Sequence, residues 1–197
     1  MIQPQSSAKK VAVMAVTASL FATLFYISMI ITVPNFTILY LPIILLGVFP
    51  LWFGLSGLTG SMIGAFIGGV LAENLGPLAW IESVTVLIIY GINWLLIPRY
   101  SREKSTKNLL IIFGIYSVSL LIGTAYILWQ FTAVGILPPG LAEYLFPATY
   151  ALNLVIELTI CPILLRTVSP RLQDWGMYFG TFSDRKLALV QKKTEKK

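Results

Sequence analysis

The sequence predicts an all-α integral membrane protein, a six-helix bundle with both termini on the cytoplasmic side. Three observations carry that expectation. Of 197 residues, 57% are hydrophobic and only 11% charged, and the mean hydropathy is +0.83, so a soluble fold would lack the polar residues to cover its surface. Uncharged or nearly uncharged segments, several of them long enough to cross a hydrocarbon core of ~30 Å, follow one another along the chain. All fourteen lysines and arginines fall at alternating segment ends, the distribution that marks cytoplasmic segments. A single transmembrane domain, residues 1–197, holds these spans, with a basic cytoplasmic tail over 169–197.

Residues 1–10 are polar and close on Lys9-Lys10, and the first span, 11–33, runs for 23 residues without a charge. At ~1.5 Å per residue this crosses the core, and it exceeds the apolar stretch of a cleaved signal peptide. Ala8, Ala12, Ala15, Ser19 and Ala22 are spaced four, three, four and three residues apart, which aligns small side chains along one helix face. Such a face either packs inside the bundle or receives a partner's helix at close range. Val33 to Thr37, with Pro34 and Asn35, ends the span. A second is expected over 39–53, with Pro42 and Pro50 near its ends, and a third over 56–75.

The stretch 47–76 contains eight of the fifteen glycines and one charge, Glu73. Gly60, Gly64 and Gly68 recur every fourth residue. In water each glycine would cost a helix ~1 kcal/mol relative to alanine. In lipid a backbone leaving the helix would strand its polar groups, so the helix persists, and the glycine face admits a neighbour backbone to backbone. Gly76-Pro77 turns the chain into a fourth span, 78–97, closed by Pro98. The loop 99–107 carries four basic residues and one glutamate. A fifth span covers 109–134, Leu137-Pro138-Pro139-Gly140 turns the chain, and a sixth covers 144–168, stopped by Pro170. Trp175, Tyr178, Phe179 and Phe182, followed by a lysine-rich end, read as an interfacial anchor beside anionic headgroups. With the N-terminus inside, the turns near 35, 76 and 139 face outward and contain no basic residue.

The chain has no histidine, which removes histidine-based triads and imidazole metal sites. Its glycine run lacks the Gly-Lys-Ser/Thr ending of a phosphate loop, so ATP is not hydrolysed by that route. No paired-carboxylate motif appears. No catalytic residue, metal or cofactor is expected, and the chain does not read as an enzyme. Cys161, the single cysteine, sits in an apolar run and reads as a small buried hydrophobe. The net charge of +6 follows from topology, and nothing in it favours nucleic acid.

Four carboxylates, Glu73, Glu82, Glu143 and Glu157, lie within the spans or on their outer side. An ionisable group at a helix centre costs at least ~2.5 kcal/mol, so such residues need partners or a task. Tyr150, Asn153 and Glu157 share one face of the sixth span, Glu82 stands on the fourth with Thr85 one turn inward, and Tyr126, Trp129 and Gln130 cluster near the outer end of the fifth. With Asn35 in the turn above them, these residues are expected to line a pocket open to the outside. Aromatics would stack a planar ligand while Glu82, Asn153 and Gln130 fix its polar edge. The competing reading is that they satisfy one another between helices, with Trp129 and Tyr144 at the headgroup level and Glu73 and Glu143 solvated. The pocket would hold no lysine, arginine or histidine, so an anionic ligand would meet uncompensated negative charge in an apolar setting. A neutral or cationic organic micronutrient with a planar ring, such as a thiamine-like compound, is expected instead.

Three segments carry a family resemblance: Lys10-Val11-Ala12-Val13-Met14-Ala15-Val16-Thr17-Ala18, then Phe49-Pro50-Leu51-Trp52-Phe53-Gly54 followed by Gly57, Gly60, Gly64 and Gly68, and finally Asn153 to Pro162. Together they resemble the substrate-binding S component of energy-coupling-factor transporters, which import vitamins and related micronutrients. The resemblance implies six helices with both ends cytoplasmic, in the cell membrane. It implies capture of a small solute, a vitamin or its precursor, from outside. Release inward would be driven by a membrane coupling (T) subunit and two cytoplasmic ATPases, with Ala8, Ala12 and Ala15 against the coupling subunit. Two other classes stand beside it. One is a self-contained secondary transporter, in which Glu157 would serve proton coupling; the other is a membrane sensor or assembly protein without transport.

Overall fold

The structure, a computed structural model, describes residues 6–31, 39–73, 76–97 and 106–182. Five helices run through them: α1 Ser7–Ile31, α2 Ile43–Glu73, α3 Leu78–Leu96, α4 Thr106–Ala133 and α5 Leu141–Asp174. Each contains a stretch long and apolar enough to cross a membrane, which makes the chain an all-α multi-pass membrane protein. Asn35 and its turn, the loop residues 98–105 and the lysine-rich end beyond 182 lie outside the described residues.

Six spans are expected from the sequence and five helices are observed, and the difference lies in α2. Residues 39–53 and 56–75 belong largely to one element, α2, which loses helical geometry at Gly54 (φ 50°, ψ −137°). The break is a reversal. The Tyr40 ring packs edge-on against Phe25 with centroids 6.1 Å apart, and a Cβ at Gly68 would lie 2.7 Å from the same Phe25 ring. Residues 40 and 68 would stand about 40 Å apart along a straight helix. The arms 43–53 and 55–73 therefore run antiparallel, and only glycine takes the positive φ at the elbow without strain. The first arm, at about 16 Å, is too short to cross the core by itself.

A helix that ends inside an apolar bundle leaves carbonyls that need donors. Pro50 has no N–H to offer the Leu46 carbonyl, and Asn93 Nδ2 donates there instead at 3.1 Å. The Tyr90 hydroxyl reaches the carbonyls of Phe49 at 2.9 Å and Gly54 at 2.5 Å. Tyr116 donates to Gly47 O at 2.6 Å, and the Phe179 backbone N–H donates to Trp52 O at 2.5 Å. The elbow is thus held by side chains from α3 and α4 and by the segment after α5.

α2 is the most enclosed helix and α1 the least, with α1, α3 and α5 all packed on α2, and α4 bridging α3 and α5. The glycine seam works as its spacing implies. A Cβ at Gly60 would lie 2.5 Å from the Met14 carbonyl oxygen, and one at Gly64 would lie 2.8 Å from Phe21 Cβ and collide with the Ala18 carbonyl. The face of α1 turned inward is therefore Val13, Thr17, Ala18, Phe21, Phe25 and Ser28. Ala8, Ala12, Ala15 and Ser19 are exposed on another face, with Ala22 half-buried.

Two further expectations change. α5 continues through Pro170 to Asp174, because the carbonyl that Pro170 leaves unpaired belongs to the exposed Arg166 at the bundle's end. The segment after α5 is more than a surface anchor: Phe179 is buried against Phe53, with ring centroids 6.4 Å apart, while Trp175 stays exposed and Phe182 is exposed but keeps a ring contact with Trp94. Lys9 lies beside Gly176, so the start of α1 and the end of α5 share one end of the bundle.

Candidate functional site

At the opposite end, α2, α3, α4 and α5 enclose a cavity of about 530 Å³, its open mouth included. Glu82 and Thr85 come from the first two turns of α3, Phe131 from the last turn of α4, and Thr149 and Asn153 from the outer part of α5. On α4 the wall is Leu120, Gly123, Thr124, Ile127, Leu128 and Phe131, an i, i+3, i+4 succession that keeps one helix face toward the space. Gly123 is part of the construction, since a Cβ there would collide with Ile89 of α3. The remaining wall is Tyr40, Ile43 and Ile89.

The polar groups form a chain of contacts centred on Tyr40. Asn153 Oδ1 accepts from the Tyr40 backbone N–H at 2.9 Å, and its Nδ2 donates to the Thr149 carbonyl at 2.9 Å. The Tyr40 hydroxyl donates to Glu82 Oε2 at 2.9 Å. Phe21 and Phe25 pack edge-on against the Tyr40 ring from α1, with centroids at 6.4 and 6.1 Å. Next to the helix, the Leu41 N–H donates to Ser28 Oγ at 2.9 Å. Residue 40 is thereby fixed from three helices, and it in turn orients the buried Glu82 carboxylate. Thr85 spends its hydroxyl on the Ile81 carbonyl at 2.8 Å. Thr149 Oγ1 is buried and, among the described residues, has no hydrogen-bond partner.

The structure brings together only part of the expected set. Glu82 and Asn153 stand in the cavity wall. Tyr126 and Gln130 are half-buried and Trp129 is 64% exposed, and none of the three is in the wall. At about 100° per residue, Trp129 is turned some 200° from the wall residue Ile127 and so faces outward. Tyr150 stacks on Phe146 with centroids 6.0 Å apart and donates to the Ser117 carbonyl at 3.3 Å, away from the wall. Glu157 is fully buried one turn below Asn153, against Gly47: a Cβ there would lie 3.2 Å from its Oε1. Neither of its oxygens has a hydrogen-bond partner among the described residues. Asn35 lies outside the described residues, and Glu143 is exposed.

Tyr40, Thr124, Phe131 and Thr149 were not anticipated. Thr149 could have been found by extending the i−4 ridge of Glu157 and Asn153 one turn outward, and Thr124 by the apolar run that places it beside Gly123. Tyr40 carries no such signal, because its role depends on where the chain re-enters the bundle. Among the described residues no three His, Cys, Asp or Glu side chains gather in one place. The cavity's chemistry is that of one carboxylate, one amide and several hydroxyls inside an apolar wall. No family model, curated protein or solved structure matches the chain.

Proposed function

We propose that this chain is a membrane-embedded substrate-binding subunit that captures a small neutral or cationic organic micronutrient for uptake. The observation that carries the reading is the Asn153–Tyr40–Glu82 contact chain, which holds a buried carboxylate in the wall of a cavity. Merely filling space would not need an oriented carboxylate, and among the described residues the lining contains no lysine, arginine or histidine to attract an anion. The cavity lies at the end away from the helix ends that carry basic residues, the starts of α1 and α4 and the end of α5, so with cytoplasmic termini its mouth would face outside the cell membrane. The subunit would bind without catalysis. A coupling (T) subunit and cytoplasmic ATPases would drive release, and the alanine face of α1, exposed at Ala8, Ala12 and Ala15, suits a partner helix at close range.

Binding is tested with purified protein in nanodiscs and a vitamin panel read by tryptophan fluorescence. A ring compound should bind, and Glu82→Gln and Asn153→Ala should each weaken it by about tenfold or more, as loss of a charge-assisted or buried hydrogen bond implies. Tight binding of an acidic vitamin, indifferent to both changes, would overturn the reading. Orientation is tested in intact cells: a cysteine at the exposed Pro139 should react with a membrane-impermeant maleimide, and one at the exposed Gln173 should not. The reverse pattern would put the cavity mouth in the cytoplasm.

Glu157, buried and without a hydrogen-bond partner among the described residues, favours a second reading, a self-contained secondary transporter using an intramembrane carboxylate.

A further inference from the structure

We infer that the cavity selects an organic ammonium ion that keeps at least one N–H, held between the Glu82 carboxylate and the Thr149 hydroxyl. This rests on the binding reading above and narrows its ligand. The inference follows from which polar groups are already committed. Asn153 holds the backbone of residue 40 and the Thr149 carbonyl. The Tyr40 hydroxyl donates to Glu82, and Thr85 donates to its own helix. Tyr40 and Asn153 are therefore positioning residues, and their polar atoms serve the carboxylate more than a ligand.

What stays on offer is the carboxylate and the hydroxyls of Thr124 and Thr149, of which that of Thr149 is the more fully enclosed. The threonine is 7% exposed and its Oγ1 unpartnered among the described residues, in the same wall as Glu82, which is 3% exposed. A buried hydroxyl left without a partner is costly, and a ligand that supplies one recovers the loss. The carboxylate accepts only. A ligand donating N–H to it, carrying a positive charge, gains the strong charge-assisted form of the bond. A quaternary ammonium has the charge without the donor, and an alcohol has the donor without the charge. Ile43, Ile89, Leu120, Ile127, Leu128 and Phe131 supply an apolar surround for the body behind the head group.

A matched series with one body and four head groups tests this: benzylammonium, benzyltrimethylammonium, benzyl alcohol and benzoate, titrated by calorimetry onto the full-length protein in nanodiscs. Benzylammonium should bind about tenfold or more tightly than each of the other three, and Glu82→Gln should remove that preference. Thr149→Val, which deletes an unpartnered hydroxyl at constant shape, should weaken benzylammonium several-fold while leaving the melting temperature unchanged or higher. Equal or tighter binding of the trimethyl compound or the alcohol, still sensitive to Glu82→Gln, would overturn the N–H requirement while leaving the binding-subunit reading intact. Failure of all four compounds to bind would overturn the ammonium class, and the vitamin panel would then decide the broader reading separately. Undiminished benzylammonium binding by Thr149→Val would remove the threonine from the site.

Discussion

Gly64→Val is expected to destabilise the protein by about 3 kcal/mol, the upper end of what added volume costs a packed core. Position 64 lies where the backbones of α1 and α2 nearly touch: a Cβ would collide with the Ala18 carbonyl oxygen and stand 2.8 Å from Phe21 Cβ. A flexible side chain could swing aside, but a helical carbonyl cannot, so α1 must move as a body. That movement would open the contacts on either side, at Gly60 against Met14 and at Gly68 against Phe25. Gly91 and Gly114 serve as controls, because a Cβ at either meets nothing within 4 Å. Alanine at those positions should be neutral or stabilise by up to about 1 kcal/mol through helix propensity. Reversible unfolding in mixed micelles measures all three. If Gly64→Val unfolds together with the parent protein, the seam is not a close contact.

The same substitution, glutamate to methionine, is expected to act with opposite signs at two buried positions. At Glu157 it removes two oxygens that have no partner among the described residues and replaces them with a side chain of similar length. A gain of about 1–3 kcal/mol is expected, the cost normally attached to an unsatisfied buried polar group. At Glu82 it takes the acceptor from the Tyr40 hydroxyl and leaves that donor buried, so a loss of about 1–3 kcal/mol is expected. Thermal unfolding in nanodiscs compares the two. Under the binding-subunit reading Glu157→Met retains uptake. Destabilisation by Glu157→Met together with loss of uptake would instead favour the secondary-transporter reading, with Glu157 as its working carboxylate.

The long apolar runs of α1, α3 and α4, interrupted by charge in α3 at Glu82 alone, were legible because span length and charge are local properties, and their ends fall within a few residues of the expected ones. The seam was legible too, since Gly60, Gly64 and Gly68 fix a face whatever lies opposite. Which face α4 turns to the cavity was not. Tyr126, Trp129 and Gln130 look functional by residue type, yet in lipid an aromatic or amide side chain near a helix end has a second use at the headgroup level. Type therefore does not settle direction. The turn at Gly54 was legible as the boundary between the spans 39–53 and 56–75. What holds it was not, because the donors from Asn93, Tyr90 and Tyr116 lie far along the sequence. Glu82 and Asn153 were found because a polar residue in a span is conspicuous. That Asn153 works through Tyr40 could be seen only once the two were side by side.

Those distant donors also impose an order on biogenesis. The Phe49, Leu46 and Gly47 carbonyls wait for partners 41, 47 and 69 residues later in the chain, and Trp52 waits for Phe179. At a synthesis rate of about 5–20 residues per second, Tyr116 emerges roughly 3–14 s after Gly47. During that interval the first arm of α2, too short to span and with its last carbonyls unmet, has no stable place in the lipid by itself. It must enter as a hairpin with the longer arm, or stay at the translocation machinery until α3 and α4 arrive. The elbow is thus a late-maturing element, and a chain stalled before Tyr116 should present residues 43–53 to quality-control proteases, while one stalled after it should not.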